Sequence, residues 1–374
     1  MTLILVVPGL LWPRQIMRDT LYDAEFPALQ TLLGKGHRLP ATSMSADAWW
    51  CSLFGIRPEH FAPAPLRLSA LGGDVGDSIW LCADPVNLHV QPGGAILKDP
   101  ALLAIDADEA AQLHATLAPL LSEVGELVIT TPSQWHLRLR TVPPSFPTRL
   151  HELIGESATS LLPSGTEGRS WRQSINDVQI ALHQHPVNIA RTEHHRPPIN
   201  SIALWGAGTM PAISTAEPAT LLCDDPVIVG LGRCAGLSVA PVTEAFTAAP
   251  VIASKAKQSI TSATSGAVGS PRACGPRDDC KESPWDDGSF YSKDVIVHWD
   301  KLLKARADHD AMRWREGLQQ LENDWLAPAL SALTGGTLKR IELHGFGDEA
   351  PLSLSMTSLD RYCFWRKLRR LETV

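Results

Sequence analysis

The chain has 374 residues, 44% hydrophobic and 20% charged, enough apolar content for one large core or two ordinary ones and too much for an intrinsically disordered protein. A formal net charge of -7 and a pI near 6.0 leave no global positive field for a polyanion, which argues against general nucleic-acid binding. No apolar run reaches the length of a signal peptide core or a bilayer span, so no membrane association is expected and the cytoplasm is the expected location.

The first apolar run, Leu3 to Val7, predicts a strand that Pro8-Gly9 stops. Pro63 to Asp77 and Pro143 to Pro147 are rich in Pro and Gly and suit the edges of an inserted subdomain. Asp106 with Glu109 reads as a capping box, after which Leu113, Leu117, Leu120 and Leu121 fall on one helical face. Leu127 to Thr130 reads as a strand, and Trp171, Ile175, Val178 and Leu182 share a second helical face. Further strands are predicted at Ile202 to Trp205, Val295 to Val297 and Ile341 to Leu343, with a third helical face through Leu318, Leu321, Trp325 and Leu333. Strands alternating with helical patterns predict an α/β fold.

Between these elements, Gly230 to Gly236 has the spacing G-x-G-x-x-x-G, which does not fit a dinucleotide loop. From about residue 250 to 284 Ser, Gly, Pro and Lys dominate without apolar period, which predicts a disordered insertion, and the wording resembles translated palindromic repeats of bacterial genomes. The seven cysteines are odd in number and form no C-x-x-C pair, which predicts reduced thiols. Twelve Trp residues predict aromatic core filling. Arg361, Arg366, Lys367, Arg369 and Arg370 interleave with aromatics near the C-terminus, and with Asp360 and Glu372 alongside they predict a packed tail rather than a nucleic-acid grip.

The most informative block runs from His185-Pro186-Val187-Asn188 through Arg191 and Pro197-Pro198-Ile199-Asn200 to Trp205-Gly206-Ala207-Gly208 and Pro211. An N-x-x-x-x-W-G-x-G turn after a short strand points amides and backbone N–H groups into one cleft. The block resembles the archaeal-type cofactor-independent phosphoglycerate mutases of the alkaline-phosphatase-like superfamily. Colinear segments carry the resemblance further: Glu25 to Leu32 with Gly36, Gly55-Ile56-Arg57-Pro58, Gly76-Asp77 through Asn87-Leu88, and Asp294 to His298 followed by Ala307-Asp308-His309-Asp310. Pro8 to Pro13 and Ala83 to Asn87 resemble a bacterial subgroup, the regulatory proteins of the RpfE type. The resemblance implies an alkaline-phosphatase-like sandwich with a mostly parallel sheet from residues 1–62 and 160–374, interrupted by an α+β subdomain at 63–159.

It also implies two divalent metals, Mn or Mg, held by Asp and His, and a Ser nucleophile that accepts the phosphoryl group. Several of those positions are changed here. The first metal-ligand position is Pro8, the nucleophile position is Ala46 followed by Asp47, a phosphate-contacting Arg is Pro85, and a metal-binding Asp is Leu303. A one-residue slip places Ser45 at the nucleophile. His298, Asp308, His309 and Asp310 remain as candidate metal ligands, with Asp348 in a faint counterpart of the late Asp-His-Ser-Thr-Pro motif. Asn188, Arg191, Asn200, Trp205, Gly206 and Gly208 remain as candidate ligand-binding residues. Arg191 is the natural partner of a small phosphorylated or carboxylated metabolite. The expectation is an impaired or inactive mutase-like protein with a regulatory or ligand-binding role and no cofactor. The alternatives are an active metal-dependent mutase or phosphate-ester hydrolase using Ser45, and a scaffold for another macromolecule.

Overall fold

The computed structural model describes residues 1–40, 44–92, 94–155, 157, 163, 168–217, 219–242, 246, 294–363 and 365–373. The 250–284 segment lies outside the described residues.

Thirteen strands are described: β1 (Thr2–Leu11), β2 (His37–Arg38), β3 (Ile79–Val86), β4 (Leu88–Gln91), β5 (Gly94–Leu97), β6 (Gly125–Thr131), β7 (Gln134–Leu139), β8 (Ser201–Gly208), β9 (Thr220–Leu222), β10 (Ser238–Ala240), β11 (Val295–His298), β12 (Arg340–Gly347) and β13 (Leu352–Thr357). Seven form the central sheet in the order β10-β9-β11-β1-β12-β13-β2. It is parallel from β10 to β12 and antiparallel at β13 and β2. A smaller antiparallel sheet has the order β6-β7-β3-β8, and β4 pairs with β5 in a hairpin. The predicted α/β class is the one observed, in the arrangement of the alkaline-phosphatase-like fold. The central sheet draws its strands from 1–62 and 160–374; the small sheet takes β3, β6 and β7 from 63–159 but β8 from residues 201–208, so the boundary at 159/160 does not coincide with its edge.

Pro8-Gly9 does not stop the first strand, which runs on to Leu11. The register to β12 shifts between Pro8 and Leu11, a bulge that absorbs the missing proline N–H. Gly9 sits at φ +79°, and a Cβ there would come 3.1 Å from the backbone of Leu302, so the close approach of that helix requires glycine.

One face of the central sheet packs Leu3, Leu5, Leu343 and Leu354 against helices Pro27–Lys35, Lys301–Ala307, Ala311–Leu321 and Ala327–Thr334. Trp50, Trp135, Trp299, Trp314 and Trp325 are fully buried, as expected of core filling. The third predicted helical face is present but divided, because a π turn at Glu322–Leu326 separates the last two of these helices. That turn buries Glu322, whose carboxylate accepts from the N–H groups of Ala28 and Leu29 at 2.6 and 3.0 Å. The helix at Pro27 has no side-chain cap of its own, so this distant acid satisfies its free donors.

On the other face, helix Pro63–Ala70 lies against β3, β8 and helix Pro226–Cys234. Pro63 to Leu68 are all buried, so this stretch is a core helix, not a linker. Prolines 63 and 65 stand in its first turn, where their missing N–H groups cost nothing. The Gly230 to Gly236 segment, whose spacing does not fit a dinucleotide loop, is the end of helix Pro226–Cys234 and its following turn. The capping box at Asp106 and Glu109 is formed, and helix Ala107–Leu121 buries Leu113, Leu117 and Leu121 while Leu120 faces solvent. Helix Arg169–His183 buries Trp171, Ile175, Val178 and Leu182 as the spacing predicts. Near the C-terminus Leu371 is buried, whereas Tyr362 and Trp365 are 59% and 68% exposed. No helix among the described residues is long and apolar enough to cross a membrane.

Candidate functional site

A cavity of about 570 Å³ opens where β1, β11 and β12 end, beside the N-terminus of helix Ala46–Leu53. In parallel sheets with helical crossovers this carboxyl edge is where ligands bind. Its wall includes Pro8, Ala46, Asp47, Arg149, His298 and Leu303, so positions the sequence places at a reactive centre do converge. Pro8 and Leu303 offer no ligating atom, and Ala46 offers no nucleophile. Ser45 also lines the cavity, but it is the N-cap of its helix, and its Oγ accepts from the Ala48 N–H at 3.2 Å.

Arg149 organises the polar part of this wall. It follows the Pro-rich loop, just before the short turn Leu150–Glu152, and its side chain is 3% exposed. Its Nη2 donates to Asp225 Oδ2, and its Nε lies 3.2 Å from Asp47 Oδ2 without the alignment of a hydrogen bond. Asp225 also caps helix Pro226–Cys234 by accepting from Val227 N–H at 2.8 Å. Burial opposes ionisation of Asp225, but Arg149, His298, the Val227 N–H and His151 together hold the carboxyl below its ordinary value. Burial raises Asp47 and Glu152, and raises Asp300 to about 6. Burial and Arg149 together push His151 down to about 3.

His298, at the end of β11, is 2% exposed. Its Nδ1 accepts from the Trp50 indole N–H at 3.2 Å. Indole only donates, so the hydrogen-bond network assigns the proton of the neutral ring to Nε2. Burial, despite Asp225, lowers this histidine to about 4, so the neutral ring is the resting form. Its Nε2 has no hydrogen-bond partner among the described residues, and a buried donor left unpaired typically costs about 1–3 kcal/mol.

These residues do not fit the divalent metals that the mutase resemblance implies. The Nε2 lone pair of His298 is taken by a proton. Asp310 is the N-cap of helix Ala311–Leu321, accepting from Arg313 N–H at 2.9 Å, and Asp308 lies 3.6 Å from the Arg313 side chain. His309 lines the cavity at φ +53°, while Asp348 is paired with Arg306. Among the described residues no group of three or more His, Cys, Asp or Glu side chains could hold a metal ion, and His298, Asp308, His309 and Asp310 form no such group.

The candidate ligand-binding residues are elsewhere and face inward. Neither this cavity nor the adjoining one of about 580 Å³ is lined by Asn188, Arg191, Asn200, Trp205, Gly206 or Gly208. Arg191 is 1% exposed; its donors go to Glu109 at 2.6 Å, to Pro197 O at 2.9 Å and to Leu103 O. Asn188 donates to Leu182 O and Ile199 O and accepts from Ile199 N–H. Asn200 makes a reciprocal pair of bonds with the Leu88 backbone. Trp205 donates to Asp84 Oδ2 at 2.9 Å, and Asp84 holds Arg67 in a buried pair. Gly206 lies at φ +69°, and a Cβ there would come 2.9 Å from Pro63, so the turn exists to seat β8 on the buried helix. The geometry therefore uses this pattern for packing, because every donor that would meet an anion already has an internal acceptor.

Sequence reasoning passed over Arg149, His151, Glu152 and Asp225. The available signal was a charged run directly after a Pro-rich loop, the kind of loop position that carries function.

No protein-family model matches the chain. It is 28% identical over 251 residues to the 2,3-bisphosphoglycerate-independent phosphoglycerate mutase of Methanosarcina mazei, covering 60% of each chain. It is 33% identical over 244 residues to phosphoglycerate mutase 2 of this type from Methanothermobacter thermautotrophicus, covering 59% of this chain and 58% of the relative. Protein PH0037 of Pyrococcus horikoshii has a solved structure that superposes with a TM-score of 0.52 at 15% identity, over 99% of this chain and 91% of that one, a likeness of fold. The match thus spans about 60% of the length of the curated relatives, and over that length the chain is similar to phosphoglycerate mutases.

Proposed function

We propose that this is a regulatory, ligand-binding relative of the phosphoglycerate mutases that holds a small phosphorylated or carboxylated metabolite in the cleft at the end of β1 and β11, without phosphoryl transfer. The observation that carries the reading is the pair Pro8 and Ala46 on the wall of that cleft, beside His298. A phosphoryl-transfer centre of this class needs a metal-bridging carboxylate and an alkoxide there, and neither side chain can supply one. What the residues supply is shape, two N–H-bearing side chains, and carboxyls raised by burial, a set suited to holding a ligand. The regulatory role follows from the resemblance of Pro8 to Pro13 and Ala83 to Asn87 to the RpfE type, and the cytoplasm is the proposed location.

Calorimetry against a panel of small phosphorylated and carboxylated metabolites, 3-phosphoglycerate included, tests the reading. Ala46→Phe fills the cleft and should abolish binding of any ligand found. No binder at millimolar concentration, or a binder indifferent to Ala46→Phe, would remove the cleft from the account.

A further inference from the structure

Two buried side chains from distant parts of the sequence present nitrogen donors to one cavity. His298 comes from the end of β11 and Arg149 from the loop after β7; they are 2% and 3% exposed, His298 Nε2 lacks a hydrogen-bond acceptor among the described residues, and Arg149 Nε faces Asp47 Oδ2 at 3.2 Å without the alignment of a hydrogen bond. Native structures rarely leave a buried donor unpaired, and an unpaired donor beside a guanidinium on a cavity wall is a place where an acceptor from outside fits. The His298 donor is fixed in direction, since Trp50 holds the opposite side of the ring. The Arg149 charge is fixed in place by Asp225 and Asp47.

Resting on the cleft-binding reading, we propose that His298 Nε2–H and the Arg149 guanidinium form a metal-independent acceptor subsite that takes a carboxylate oxygen of the ligand. The chain's own guanidinium, clasped by two carboxylates, supplies the positive charge that the mutase resemblance assigns to metal ions. A carboxylate is favoured over a phosphate monoester by the surrounding charge. Arg149 is already paired with Asp225, Arg306 with Asp348, and the cavity also contains Asp47 and Glu152. A singly charged group meets less repulsion from Asp47 and Glu152 than a phosphate near -2 does. Pro8, Trp12, Ile16, Met44 and Leu303 make the rest of the wall apolar, which suits a small body without further charge.

The test uses the full chain in EDTA, with acetate, propionate and inorganic phosphate as probes. Nitrogen-15 NMR of the His298 ring and the Trp50 indole N–H is recorded during each titration. In the free protein the ring should be the Nε2–H tautomer. Acetate and propionate should shift both reporters with Kd on the order of 10 mM, as fits such small ligands, and phosphate should bind at least tenfold more weakly. His298→Phe should abolish the Trp50 response, and His298→Gln, which keeps an N–H donor, should retain it within about tenfold. Arg149→Met should weaken acetate at least tenfold if it folds; if it does not, the two His298 variants decide the matter. An Nδ1–H tautomer, tighter phosphate binding, binding lost in EDTA, or equal responses in Phe and Gln variants would each overturn the subsite. A metabolite that binds in an Ala46→Phe-sensitive way but leaves both reporters unmoved would overturn it while leaving the cleft-binding reading intact.

Discussion

Two regions of this molecule match the mutase pattern, and their hydrogen bonds differ in kind. In the wall built from Asn188, Arg191, Asn200 and Trp205, every polar side chain named is answered from within, by Leu182, Ile199, Glu109, Leu88 or Asp84. In the cleft at the end of β1 the side chains have changed to Pro8 and Ala46, yet His298 Nε2 is left without an acceptor. The region closer to the family pattern has the closed network, and the altered one leaves a buried donor unpaired. A matching motif can thus record a packing solution, whereas an unpaired buried donor marks where something else fits.

The sharpest way to break that comparison is Arg191→Ala. Removing a buried guanidinium takes from Glu109 one of its two cations, from Pro197 O its donor and from Leu103 O the nearer of two donors, so it should cost about 3–5 kcal/mol by chemical denaturation. Metabolite affinity of the folded fraction should not change; a stable variant that has lost its ligand would move the site to the wall. Asn188→Ala should cost about 2 kcal/mol, because it strips the carbonyls of Leu182 and Ile199 and the N–H of Ile199 of their shared partner.

The wall also predicts a pH signature. His136 is fully buried, accepts from Arg67 Nε at 3.1 Å, and is pushed by burial and by Arg67 down to about 2. Unfolded, the ring titrates near 6.5, so as pH falls below that value the unfolded state takes up a proton the folded state refuses, and stability is lost. His136→Gln should therefore flatten the acid limb by one proton, about 1.4 kcal/mol per pH unit between pH 6 and 5, measured as the difference in unfolding free energy from the wild type. Identical slopes would show that His136 is charged in the folded protein.

The smallest effect separates the cleft reading from an enzyme using Ser45. As an N-cap, Ser45→Ala should cost about 1 kcal/mol and leave ligand affinity unchanged. Loss of a measurable turnover in that variant alone would restore Ser45 as a nucleophile.

The sequence exposed those parts of the fold whose cause is local. The Asp106–Glu109 box and the 3.6-residue spacing of Trp171, Ile175, Val178 and Leu182 depend on neighbours a few residues away, and both were legible. Helix Pro63–Ala70 was not, because it is buried on all sides, shows no amphipathic period, and opens with prolines that read as a loop. The continuation of β1 through Pro8-Gly9 depends on a bulge against β12, more than 300 residues away. The site divides in the same way. Pro8, Ala46 and His298 were placed by order along the chain, but Arg149 takes its meaning from Asp47 and Asp225, which no local pattern links to it. Conversely, Arg191 resembled an anion clamp until Glu109, 82 residues away, was seen to hold it.

The central claim is that the cleft binds without phosphoryl transfer, and the most direct measurement is phosphorus NMR of 3-phosphoglycerate incubated with the purified chain and Mn²⁺. With Pro8 and Ala46 at the reactive positions, no 2-phosphoglycerate should accumulate above the protein-free control. Interconversion at an ordinary enzymatic rate, on the order of 10 per second, would contradict the account.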